Sequence, residues 1–293
     1  MSHTSAPPHV DSYFHADTNT FTYLVDDGQG HALIIDPVLD FDLASARTWT
    51  ASADQLLAQV RERGLQVQWI LETHAHADHL SAGGYLRDTL DAPLAIGRGI
   101  IQVQQRFKAL FDLGEDFIAD GRQFDRLLDE GDLLDFGQMG VRVLATPGHT
   151  DDGMTFLIGD AAFIGDTLFA PETGTARADF PGGSAQRLYA SLQRLLDLPA
   201  STRLFLCHDY PKDRAPQAQT SVDAQRQGNI HVGQDASEAT FVSLRQARDA
   251  TLPVPRLLLP ALQVNIRGGR LPPPDRNGVA YLRLPLNQLG RAP

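Results

Sequence analysis

The sequence predicts an α/β protein. Three observations carry this: short runs rich in β-branched and aromatic residues, amphipathic stretches of helical period between them, and His/Asp-rich turns directly after the β-prone runs. Phe21, Tyr23 and Val25, then Leu33 to Ile35, flank Asp26-Asp27-Gly28-Gln29-Gly30 and predict a hairpin. Ser52 to Gln55 has capping-box spacing, Leu56, Leu57 and Val60 follow at helical intervals, and Gly64 supplies a stop. Val67 to Leu71 reads as a strand that leads into Thr73-His74-Ala75-His76-Ala77-Asp78-His79. Helices are expected over 82–90 and 99–111. Four strands should follow between 132 and 168, at Leu133 to Phe136, Val141 to Ala145, Thr155 to Ile158 and Ala162 to Ile164. From Ser184, Leu188, Leu192, Leu195 and Leu196 form a helical stripe that ends near Pro199, and Arg203 to Cys207 is a strand that delivers His208. Helical patterns recur at 222–227 and 237–249. Six of the 18 prolines fall between Pro253 and Pro274, which predicts an extended tail. The expected organisation is one domain: a core over 1–211 and an extension over 212–293 packed on it.

Composition narrows the functional classes. The chain has 293 residues, with 42% hydrophobic and 21% charged, a globular balance. A net charge of −11 repels a phosphate backbone, so nucleic acid is not an expected partner. One cysteine, Cys207, rules out an intramolecular disulfide. No apolar run is long enough to span a bilayer, and Met1 to Asp11 has no apolar signal-peptide core. The expectation is a cytoplasmic protein without a membrane partner.

The chemistry lies in the histidines and aspartates. His74, His76, Asp78 and His79 fall within six residues on a turn. His149, Asp166 and His208 each follow an apolar strand, so seven metal-type donors arise at four strand ends. His3, His9, His31 and His231 read as isolated loop histidines. Cys207 adjoins His208, but strand alternation would turn the two to opposite faces, leaving Cys207 a buried thiol.

The run His74-Ala75-His76-Ala77-Asp78-His79, joined to His149, Asp166 and His208, resembles the metallo-β-lactamase superfamily over roughly residues 12 to 210. That resemblance implies an αββα sandwich with the metal site at the edge between two sheets. Within the superfamily, Ile35-Asp36-Pro37-Val38, Gly174 to Phe180, His208-Asp209-Tyr210, Gln263 to Gly269 and Tyr281 to Pro285 are similar to segments of the glutathione-dependent persulfide dioxygenases. The implied centre is one Fe(II) per subunit held by His74, His149 and Asp166, two imidazoles and a carboxylate that leave positions open for substrate. His76, Asp78, His79 and His208 would then stand outside the direct ligands. The implied reaction takes glutathione persulfide, O2 and water to sulfite and glutathione, in a homodimer. The alternative is a glyoxalase II-like hydrolase of glutathione thioesters with two Zn, for which the full ligand set is also present. On the substrate side the resemblance and loop positions point to Arg177, Tyr210, Arg226 and Arg267, while Lys212 and Arg214 read as solvated charge.

Overall fold

The computed structural model describes residues 7–233 and 236–290; His3 lies outside them. In chain order the elements are β1 His9–His15, β2 Thr20–Asp26, β3 His31–Ile35, β4 Val38–Asp42, β5 Arg47–Trp49, α1 Ala51–Glu62, β6 Gln66–Leu71, β7 Leu80–Ser81, α2 Gly83–Leu90, β8 Leu94–Gly97 and α3 Ile100–Leu110. They continue with β9 Arg126–Leu128, β10 Leu133–Phe136, β11 Met139–Ala145, β12 Met154–Ile158, β13 Ala161–Phe163, α4 Ala185–Leu196, β14 Arg203–Phe205, β15 Gln219–Ser221, α5 Val222–Gly228, α6 Glu238–Asp249 and α7 Leu258–Asn265.

Two six-stranded sheets, in the orders β1-β2-β3-β6-β8-β9 and β10-β11-β12-β13-β14-β15, pack face to face. Alternation explains the layers. On β2, Phe21, Tyr23 and Val25 point between the sheets and meet Val143, Phe156, Phe163 and Phe205, whereas Leu24 points outward to the helices. The outer face of the first sheet is covered by α1, α2, α3 and α7, and that of the second by α4, α5 and α6. This is the predicted αββα sandwich. Strands β3, β6, β8 and β9 run parallel, so the ends of β3 and β6 emerge on one edge, beside the ends of β13 and β14. Such an edge is where α/β sheets collect functional loops.

The structure corrects three local expectations. The tail is not extended throughout: α7 lies inside the 253–274 segment and buries Leu258, Ala261, Leu262 and Val264 in the core formed by the first sheet and its helices. Pro260 is tolerated because it stands in the first turn, where its missing N–H would have had no partner. Second, Ser52 does not cap α1, which starts one residue earlier; its N–H and hydroxyl instead bond the Asp40 carboxylate at 2.9 and 2.7 Å. Third, β14 ends at Phe205, so strict alternation does not reach Cys207. Its thiol is buried, but lies with donor atoms of Asp166 and His208 in a group no wider than 4.8 Å.

Candidate metal centre

Loops after β3, β6, β11, β13 and β14 converge on this edge, and hydrogen bonds, several of them fully buried, hold most of them in place. After β3, Asp36 adopts φ +50°, and its carboxylate receives the Thr73 N–H at 2.7 Å and the Thr73 hydroxyl at 2.8 Å. With its proton committed to Asp36, the Thr73 oxygen accepts from His74 Nδ1 at 3.1 Å, which leaves His74 Nε2 free as a donor to a metal. Gly165 is required here, because at φ +51° a Cβ would stand 2.8 Å from Thr73 Oγ1. Asp152 accepts the Ala75 N–H at 2.8 Å. From α7, Asn265 accepts the Ser81 N–H and donates to the carbonyls of His76 and His79, each at 2.8 Å. The His149 ring donates Nδ1–H to the Arg177 carbonyl at 2.7 Å, and His208 donates Nδ1–H to the Asn19 carbonyl at 3.1 Å.

The freed atoms face one another. His74 Nε2 and His149 Nε2 lie 3.7 and 3.6 Å from Asp166 Oδ2. On the other side of that carboxylate, His208 Nε2 lies 3.4 Å from Asp166 Oδ1 and 2.8 Å from Asp78 Oδ2. Two ligands each about 2.1 Å from one ion sit roughly 3.0–3.6 Å apart, so the spacings of His74 and of His149 from Asp166 each suit a shared ion, while the donors gathered within 4.8 Å of one another on this side are those of His74, His76 and Asp166. Nε2 of His74 and His79, Nδ1 of His76 and Asp166 Oδ1 are buried without hydrogen-bond partners, while Nε2 of His76 and His208 face the carboxylates of Asp36 at 3.1 Å and Asp78 at 2.8 Å. Orphaned buried polar atoms are costly, and a divalent cation is the partner this cluster fits.

Electrostatics agrees. Burial, reinforced by neighbouring imidazoles, holds His74 and His76 well below the usual histidine range, in the neutral form that ligates. Burial also lifts the Asp166 carboxyl against the pull of His208 and His149. Burial disfavours charge on His208, yet Asp166 and Asp78 outweigh it and push the imidazole up to about 10. The carboxylates therefore draw positive charge to this edge.

The centre opens into a cavity of about 1240 Å³ with His149, Asp166 and Asp78 in its wall. Arg177 and Tyr210, expected from the sequence, line it. Tyr210 stacks over His208 at 5.9 Å between centroids, and Arg177 pairs with Asp179 through Nε and Nη2 at 2.6 and 2.8 Å. The other two expected residues do not line it. The Arg226 guanidinium is spent on the Leu196 and Leu198 carbonyls, and Arg267 stacks 4.6 Å over the Phe117 ring, a packing role a loop position could not reveal. Arg214, which also lines it, is committed to Asp209 and Glu172. Lys212, Arg248 and Arg256 line the cavity, and their side chains have no hydrogen-bond or ion-pair partner among the described residues. His231, set aside as a loop histidine, is also in the wall; its Nδ1 accepts the Thr175 N–H at 3.0 Å, so Nε2 carries the proton. Arg248, Arg256 and His231 belong to the extension, whose position on the core the sequence did not specify. Asp36 and Asn265 carried a weak signal only as parts of the family-like segments.

Comparison with known proteins fits this geometry. A family model described as the metallo-beta-lactamase superfamily matches residues 16–208. A probable metallo-hydrolase of Burkholderia pseudomallei is 49% identical, covering 96% of this chain and 99% of that protein. Glyoxylase B2 of Dictyostelium discoideum is 43% identical (91% and 92%), and the mitochondrial persulfide dioxygenase ETHE1 of Bos taurus is 30% identical (93% of each). The chain spans 65% of the length of a β-lactamase hydrolase-like protein of Xylella fastidiosa. Among solved structures, ETHE1 from Myxococcus xanthus superposes with TM-score 0.71 at 31% identity, covering 89% of this chain and 100% of that one. With the αββα layers, the His/Asp edge and the family match in agreement, the chain belongs to the metallo-β-lactamase superfamily.

Proposed function

We propose that the protein is a non-haem iron persulfide dioxygenase that converts glutathione persulfide, O2 and water to sulfite and glutathione. The observation that carries this reading is the donor set of two imidazoles and one carboxylate, Nε2 of His74 and His149 with Oδ2 of Asp166, opening on a cavity whose wall holds Lys212, Arg248 and Arg256, cations without a partner among the described residues. Similarity to ETHE1 in sequence and structure supports it. When bound there, a ferrous ion supplies the redox chemistry toward dioxygen and keeps positions open to substrate. Everything else is done by the chain. The Thr73 hydroxyl and the Arg177 carbonyl fix the tautomers of His74 and His149. Lys212, Arg248 and Arg256 offer charge to the two carboxylates of glutathione, in a protein otherwise acidic. Tyr210, exposed at the cavity wall and stacked over His208, keeps its phenol proton at neutral pH and is a donor there.

A second reading has its own observation. Asp78, His79 and His208 retain a complete second donor set, with ligand atoms of His76, Asp78, His79 and His208 all within 4.8 Å of one another. Relatives at 43 and 49% identity bear the names glyoxylase and metallo-hydrolase. That favours a two-zinc hydrolase of a glutathione thioester. Sulfite release from glutathione persulfide under air and under argon separates the two. The dioxygenase reading expects sulfite only with oxygen, and hydrolysis of a thioester without sulfite formation contradicts it.

A further inference from the structure

The segment Leu252-Pro253-Val254-Pro255 lines the cavity over the metal centre and also a second cavity of about 740 Å³, whose wall includes Asp179, Pro181, Leu258 and Leu289. Arg177 and Phe180 likewise border both. The segment has little backbone pairing of its own: Pro253 and Pro255 carry no N–H, while the N–H groups of Thr251 and Leu252 bond back to Arg248 and Asp249. What fixes it toward the centre is Arg177, whose Nη1 donates to the Pro253 carbonyl at 2.7 Å. The same guanidinium is forked onto Asp179 and lies 5.0 Å over the Phe180 ring, which meets the His149 ring edge-on at 5.1 Å. The Arg177 carbonyl holds His149 Nδ1. One residue thus grips a metal-ligand candidate with its backbone and the cavity partition with its side chain.

We propose that Arg177 is a positioning residue: its side chain ties segment 252–256 to the His149 loop, keeps the two cavities separate, and so limits the length of thiol carrier that reaches the centre. With all three guanidinium nitrogens occupied, Arg177 acts on substrate through the partition. The carrier-length half of this inference rests on the dioxygenase reading; the tie itself does not.

The test uses metal-loaded full chain with Arg177→Gln, which removes the fork, and Arg177→Lys, which keeps the charge but cannot serve Asp179 and Pro253 together. Metal content should stay near that of the parent, because the carbonyl holding His149 is unaltered. Amide hydrogen exchange at Thr251, Leu252 and Leu258, the bonded N–H groups in and beside the segment, should speed up about tenfold or more, and kcat/KM for coenzyme A persulfide relative to glutathione persulfide should rise about tenfold, the scale on which pocket shape discriminates. Unchanged exchange in both variants would overturn the tie. Faster exchange with an unchanged substrate ratio would overturn the partition role, and loss of metal from both variants would place Arg177 among the supports of the centre only. If Arg177→Gln does not fold, Arg177→Lys and Asp179→Asn give the same readouts. If the parent takes up no oxygen, the dioxygenase reading fails alone: exchange, and binding of S-methylglutathione against S-methyl-coenzyme A, still decide the tie without turnover.

Discussion

Replacing Asn265 with alanine tests whether the carboxyl-terminal extension builds the metal centre or merely covers it. The side chain is 4% exposed and makes three hydrogen bonds of 2.8 Å, one from Ser81 N–H and two to the carbonyls of His76 and His79. Alanine leaves one donor and two acceptors in a region where Ser81, His76 and His79 are at most 2% exposed. At about 1–3 kcal/mol for each buried group left unpaired, less what an entering water restores, the loss is roughly 3–6 kcal/mol. In a chain of this size that lowers the melting temperature by roughly 10 °C. The two carbonyls belong to the loop that carries His74, so metal affinity should fall about 10- to 100-fold. Thermal unfolding followed by circular dichroism, with metal content measured after dialysis against a weak chelator, reads both. Asn277→Ala is the control, since that side chain is exposed and should change stability by less than about 0.5 kcal/mol. A melting point within about 2 °C of the parent with full metal would refute the view that α7 organises the loop.

Three further outcomes follow from the same geometry. His74→Ala, His149→Ala and Asp166→Ala should each lose iron while His79→Ala keeps most of it; equal loss in all four would point to a binuclear site. Arg248→Glu and Arg256→Glu should raise KM for glutathione persulfide roughly tenfold with a smaller change in kcat, and a kcat effect alone would remove these residues from carboxylate binding. Burial, with Arg245 and Arg248 close by, lowers His231 to about 4. The unfolded chain therefore takes up a proton near pH 6.5 that the folded chain refuses, so the folded state loses stability as pH falls from about 6.5 toward 4. His231→Asn should melt with a flatter pH dependence than the parent over that window, and identical slopes would contradict the neutral assignment.

How much was legible in the sequence depended on how local each signal was. The His74 to His79 run, the strands that precede His149, Asp166 and His208, and the leucine stripe of α4 are short-range patterns, and the fold keeps them where they were read. Helix α7 escaped because proline density suggests an extended chain, whereas Pro260 sits at the one part of a helix that does not need its N–H. Arg226 and Arg267 show the opposite failure. Sequence places a guanidinium on a loop but not the carbonyls or ring that claim it, so the cavity-lining cations Lys212, Arg248 and Arg256 emerged only in three dimensions. His231 was discounted for the same reason: Thr175, which fixes its tautomer, is 56 residues away. Cys207 was misplaced by applying alternation beyond the last paired residue of β14.

The central claim is that this edge supports oxygen-dependent chemistry on a persulfide. The most direct measurement is oxygen uptake with simultaneous sulfite release when glutathione persulfide is added to protein reconstituted with Fe(II), run beside protein reconstituted with zinc and offered a glutathione thioester. Uptake and sulfite in equal amounts from the iron form alone, abolished in His74→Ala, is the predicted result. An iron-loaded protein that consumes no oxygen, beside a zinc form that cleaves the thioester, would contradict the account and make the second donor set the working one.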